Sequence, residues 1–157
     1  MRKKRIAESR SVLSDVMLPS QANPAGNVHG GEIMKMMDTC TSVAAMRHAR
    51  ANVVTARVDE LVFYNPIFVG QLVICEAELV FVGRTSMEVK ATVKVEDMTC
   101  ENSAKIALTA FFTFVALDCD QQPCEVPQLK LETPEEELAF KKGEKRYLYH
   151  KRKREKP

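Results

Sequence analysis

The 157 residues suit a single domain with a sizeable core, and 45% hydrophobic against 28% charged residues is ordinary for a soluble, folded chain. The net charge of +2 points to no particular partner, although Lys141 to Lys156 carries most of the excess, and no apolar run approaches the ~20 residues of a membrane helix. The basic opening MRKKRIAESR is followed by no apolar stretch or small-residue cleavage site, so it does not read as a signal peptide, and the cytoplasm is the expected location.

In chain order, Ser9 to Leu18 carries Val12, Leu13, Val16 and Met17 among polar positions and predicts a strand that Pro19 ends. Gln21 to Gly26 is loop, because Asn-Pro and Ala-Gly favour turns. From Gly30 to about Arg50, the residues Ile33, Met34, Met36, Met37, Cys40, Val43, Ala44 and Met46 spread around most of a helical wheel. Such a helix must be wrapped, and Arg47, His48 and Arg50 at its end complement its dipole. Four strands follow: Val53 to Tyr64, Gln71 to Val82, Ser86 to Val95 and Ser103 to Leu117. In the first, Thr55 and Arg57 fall on one face by simple alternation; in the last, the apolar run Ala110 to Ala116 predicts burial on both faces.

One strand, one long helix and then a run of strands predict an α+β antiparallel sheet curled around the helix. Residues 1–125 form the expected domain and residues 126–157 an extension. Val126 to Leu129 reads as extended chain on the surface. A short helix then starts at Thr133 and Pro134, Gly143 interrupts it, and the basic end HKRKREKP is expected to be mobile. Leu138, Phe140, Tyr147 and Leu148 are available to dock this segment on the domain or on a neighbour.

Cys40, Cys75, Cys100, Cys119 and Cys124 are odd in number and form no CxxC pair, so neither a disulfide framework nor a zinc site is indicated. Cys40 is better explained as a small buried thiol than as a nucleophile. His29, His48 and His150 are scattered without ligand spacing, and no metal is expected.

The stretch NPAGNVHGGEIMKMMD, Asn23 to Asp38, combines a turn, a His-Gly-Gly junction and an apolar helical segment with one carboxylate. Together with ANVVTARVDELVF, GRTSMEV, TAFFTFVALD and VPQLKLETPEEELAFKKGEKRYL, it resembles the hotdog-fold acyl-CoA thioesterases, in the branch of the brain-type cytosolic acyl-CoA hydrolase and its single-domain bacterial relatives. The likeness runs in order from about Ser11 to Tyr149 and implies a sheet wrapped around the long helix, with two units paired into one continuous sheet as a double-hotdog homodimer. Trimers of such dimers are common in the family. It also implies hydrolysis of fatty acyl-CoA to fatty acid and CoA, with no cofactor beyond the CoA of substrate and product, and with neither nucleic acid nor membrane as partner.

Thioester hydrolysis needs a positioned water, a base and donors for the developing oxyanion. Asp38 supplies a carboxylate as base or nucleophile. Gly30 and Gly31 open the helix, where free N–H groups and the dipole favour an oxyanion. Asn23, matching the family's catalytic asparagine, would come from one subunit to complete a site built by Gly31 and Asp38 of the other. His29 is a further catalytic candidate, although a packing role suits it as well, and Asn27 is a turn, cap or substrate contact. Arg57, Arg84, Thr85 and Ser86 are candidates for holding CoA. Two other readings stay open: a non-catalytic acyl-CoA-binding module, and a hotdog dehydratase or hydratase using His29 with Asp38.

Overall fold

The computed structural model describes residues 1–156. In chain order it contains Lys4–Arg5 (β1), Ser11–Val16 (β2), Gly30–Ala49 (α1), Asn52–Phe63 (β3), Leu72–Val82 (β4), Ser86–Glu96 (β5), Lys105–Leu117 (β6), Leu129–Lys130 (β7) and Pro134–Glu155 (α2). Five strands form an antiparallel sheet in the order β2-β4-β5-β6-β3, with α1 against its inner face. The expected α+β hotdog architecture is therefore present.

Helix α1 starts where His29 accepts a hydrogen bond from the Gly31 N–H through its ring and ends where Arg50 turns left-handed at φ 53°. Its stripe of Ile33, Met37, Cys40, Thr41, Ala44, Ala45 and His48 is buried against Val73, Cys75, Val93, Phe112, Phe114 and their neighbours. On the flank of α1 turned away from the sheet, Met34 and Met46 stay exposed. Cys40 is fully buried and donates to the Cys75 carbonyl at 3.3 Å, which removes it from nucleophilic chemistry.

Strand β3 departs from simple alternation. Register shifts between Thr55 and Arg57 and between Asp59 and Val62, the second with Glu60 at φ 49°, mark two bulges. The first places Thr55 on the inner face, toward α1, and Arg57 on the outer one, where it pairs with Asp59 at 2.8 Å and reaches Thr113. The expectation of a shared face for these two residues is thus corrected.

Both faces of the central strands are covered because α2 lies on the outer side. It is neither short nor interrupted: it runs through Glu155, and residues 150–155, expected to be mobile, are helical. Thr133 caps it by accepting from the Glu136 N–H, with Pro134 in its first turn. Gly143 is the point of closest approach, since a Cβ there would lie 2.6 Å from Cβ of Phe81. Glycine's cost in a helix interior, about 1 kcal/mol relative to alanine, is offset by this docking. Phe140 and Tyr147 pack on Phe81 at ring separations of 4.9 and 5.3 Å, whereas Leu138 and Leu148 stay exposed in the single chain. The parallel pairing of β1 with β7, which ties the chain's start to the segment before α2, has no signal in the sequence.

His48 is buried with Nε2 2.6 Å from the Pro127 carbonyl oxygen, while Nδ1 has no partner among the described residues. Burial holds its pKa below the usual histidine value. The unfolded chain therefore binds this proton first, so stability is fully present above about pH 6.5 and falls as pH drops below it. Denaturant titrations at several pH values are expected to show that dependence, flattened in His48→Gln.

Candidate active site

Helix α1 carries the two halves of the candidate site on different turns. At its N-terminus, Asn23, Asn27 and Gly30 border a cavity of about 170 Å³ whose other walls include Ile33, Phe63 and Leu108. The Asn23 side-chain oxygen accepts from the N–H groups of Ala25 and Asn27, at 3.0 and 3.2 Å, and so rigidifies the turn. Its amide nitrogen donates to no described residue and is free for a ligand.

Neither Gly30 nor Gly31 needs to be glycine for local packing: an added Cβ would meet nothing closer than 4.0 Å at Gly30 and 3.5 Å at Gly31. Their lack of side chains instead leaves the helix end open to a ligand. The Gly31 N–H donates to His29 Nδ1 at a long 3.3 Å, and the Gly30 N–H has no partner among the described residues. His29 itself is exposed and enters the structure as the helix cap.

Asp38 is half-buried, and its Oδ1 accepts from the Thr55 hydroxyl at 2.7 Å while Oδ2 accepts from no described residue. One oxygen is held and the other is free. Sequence reasoning missed Thr55 because its approach to Asp38 depends on the bulge that follows it. The only signal available was its place inside ANVVTARVDELVF.

Roughly two helical turns, ~10 Å of axial rise, separate Gly31 from Asp38. Within one chain, the two groups expected to share a centre therefore stand at opposite ends of that rise.

The CoA candidates divide. Arg57 is not brought to this region, because its guanidinium is committed to Asp59 on the opposite sheet face. Arg84, Thr85 and Ser86 form the β4–β5 turn, with the Thr85 carbonyl bonded to the Ala116 N–H; Ser86 lies beyond β6 from Val54, one residue before Thr55. The Arg84 side chain is 79% exposed and makes only a loose 3.8 Å contact with Glu125.

An antiparallel sheet cradling one long helix, with an open glycine helix start and a braced carboxylate two turns on, defines the class of hotdog-fold proteins. Residues 25–101 match the model of the thioesterase superfamily. The cytosolic acyl coenzyme A thioester hydrolase of Rattus norvegicus is 38% identical over 152 residues, covering 96% of this chain and 40% of that protein. An uncharacterised acyl-CoA thioester hydrolase of Zymomonas mobilis is 38% identical over 118 residues, 73% of this chain and 76% of its own. Among solved structures, the acyl-CoA hydrolase of Staphylococcus aureus, in complex with butyryl coenzyme A, coenzyme A and coenzyme A disulfide, superposes with a TM-score of 0.89 at 30% identity, covering 98% and 93% of the two chains. An apo-hexameric acyl-CoA thioesterase superposes at 0.91 with 29% identity over the full length of both. The chain belongs to the acyl-CoA thioester hydrolase family of the thioesterase superfamily. It spans 40% of the length of the rat enzyme.

Proposed function

We propose that this chain hydrolyses fatty acyl-CoA thioesters to free fatty acid and CoA, and that each active site is shared between two copies. Asn23, Gly30 and Gly31 come from one copy; Asp38 and Thr55 come from the other. The observation that carries this reading is the braced Asp38 carboxylate, set ~10 Å along α1 from the glycine N–H groups it must work with. Strand β3 supplies the means of pairing. It is an unpaired edge of 12 residues with Phe63 at its end, and Tyr64 just after it, more than half exposed, and an edge of that length calls for a partner strand. Pairing two such edges about a two-fold axis brings the exposed flank of α1 in each copy toward the other. Three such dimers would form a hexamer like that of the related apo enzyme.

In this arrangement the thioester carbonyl oxygen receives hydrogen bonds from the Gly30 and Gly31 N–H groups, and the Asn23 amide orients the substrate or the water. Asp38, held by Thr55, takes a proton as the water oxygen bonds to the carbonyl carbon. The tetrahedral intermediate collapses by breaking the C–S bond, and the CoA thiolate takes up that proton. His29 caps the Gly31 N–H in the unliganded chain, and this long 3.3 Å contact gives way when the carbonyl oxygen takes its place. Water and protein groups suffice for every step. Support comes from three alanine variants of the Staphylococcus aureus hydrolase, at an aspartate, an asparagine and a threonine, spaced along that chain as Asp38, Asn23 and Thr55 are along this one.

Thiol release from acyl-CoAs of graded chain length, read beside loss of enoyl absorbance, tests the activity. Thiol without enoyl consumption is expected. An absence of thiol at every chain length rejects hydrolysis, and enoyl consumption would indicate a hydratase. We assign the CoA phosphates to the turn carrying Arg84, with Thr85 and Ser86 beside it. Arg84→Glu is therefore expected to raise KM about tenfold with kcat retained, consistent with loss of one charge-assisted contact. An unchanged KM removes Arg84 from substrate binding.

A further inference from the structure

Helix α2 crosses the outer sheet face strand by strand. Gly143 sits on Phe81 of β4, Arg146 binds Glu88 of β5 and lies 3.8 Å over the Phe111 ring of β6, and His150 Nε2 is 3.1 Å from Asp59 Oδ1 on β3. Since β3 is the sheet edge, the helix makes its last anchoring contact at the edge and continues past it. Lys151, Arg152, Lys153, Arg154 and Glu155 add ~7 Å of exposed helix whose one aromatic contact, Lys153 Nζ 4.9 Å over the Tyr149 ring, lies within α2 itself. At the base of this overhang Leu148 and Tyr149 are 40% and 54% exposed.

The sheet beneath has a matching deficit. On the outer face of β3, Val62 is 40% exposed and stands beyond the bulge from Asp59, the two lying opposite Thr109 and Phe111 of β6 and so ~7 Å apart along the strand. Glu60, turned outward at the bulge, has only a 4.0 Å contact with Arg146.

We propose that the overhang of α2 is a strap that docks on the outer sheet face of a second copy, crossing the seam where the two β3 edges pair. This rests on the edge pairing described under the proposed function. By two-fold symmetry each copy gives its overhang and receives the other's. Leu148 and Tyr149 cover the apolar outer surface around Val62 of the second copy, and the four cations lie over its exposed acid, Glu60. The occupant is another copy because the overhang begins where the unpaired edge lies, and because cations and bare acid face the same seam.

The test is subunit exchange between unlabelled and 15N-labelled full-length protein, followed by native mass spectrometry, for the parent chain and for K151Q/R152Q/K153Q/R154Q. None of these residues touches the candidate active site. The variant is expected to exchange at least about tenfold faster, the size of several modest charge contacts acting together, and added salt is expected to accelerate the parent toward it. Carbodiimide coupling in the mixed-isotope dimer is expected to join residues 151–156 of one copy to the β3 peptide of the other. Exchange at the parental rate, or couplings confined to one isotope, would overturn the strap while leaving edge pairing intact. A parent chain that is monomeric throughout overturns edge pairing and the strap together. Unchanged exchange accompanied by loss of binding to phosphatidylserine vesicles overturns the strap and assigns the cations to an anionic membrane.

Discussion

Asp38→Asn is expected to lower kcat for acyl-CoA hydrolysis about 100- to 10,000-fold, the usual contribution of a positioned acid-base group, with folding retained. Asparagine is close to isosteric and can still accept from Thr55, so the 2.7 Å contact survives while the proton acceptor is lost. The more informative experiment pairs this variant with Asn23→Ala. Each homodimer is inactive, because every site lacks one of the two groups. In a dimer with one chain of each kind, one site lacks both groups and the other lacks neither. Random reassociation of equal amounts should therefore restore about a quarter of the parental rate. No recovery would mean that Asn23 and Asp38 of one chain serve the same centre, against the ~10 Å between the two ends of the site. Full Asp38→Asn activity would remove the aspartate from the mechanism altogether.

Arg146→Met is expected to cost about 3–5 kcal/mol of stability, the penalty of leaving a buried charge without its partner. Arg146 meets Glu88 at 2.6 to 3.1 Å through both Nε and its terminal nitrogen, and the Glu88 side chain is only 4% exposed. Burial pushes the Glu88 carboxyl above the usual range, and Arg146 opposes that rise. Without the guanidinium, the folded state holds the Glu88 proton more tightly than the unfolded chain does. The deficit of the variant should then shrink as pH falls toward the unfolded glutamate value of about 4.3. Urea titrations of parent and variant at neutral and mildly acidic pH measure both the loss and its sign. A deficit independent of pH would show that Glu88 is not the group left unpaired. The double variant carrying Glu88→Leu as well is expected to recover most of the stability, because an apolar pair suits that interface.

The placement of Gly143 illustrates how a single residue can be misread along the chain. In isolation it is a helix breaker, which predicted an interrupted segment; in the fold it is where α2 comes nearest the sheet, with Phe81 directly below. Arg57 is a second case. Its neighbours in the strand alternate cleanly in the sequence, yet one extra residue at the bulge moves it to the face opposite Thr55. Both depend on contacts between segments far apart in sequence, which no local pattern encodes.

The order of elements, the long helix α1, the turn and glycines that open it and the placement of Asp38 two turns inside it were all legible along the chain. These follow from residue spacing, turn chemistry and helix periodicity, all local properties. Only the tertiary structure decided that Thr55 braces Asp38, that Arg57 is locked in an outer ion pair and that α2 is one continuous helix reaching past the sheet edge. It also set Asp38 ~10 Å along α1 from the glycines that open the helix, the distance on which the proposal of a site shared between two copies rests.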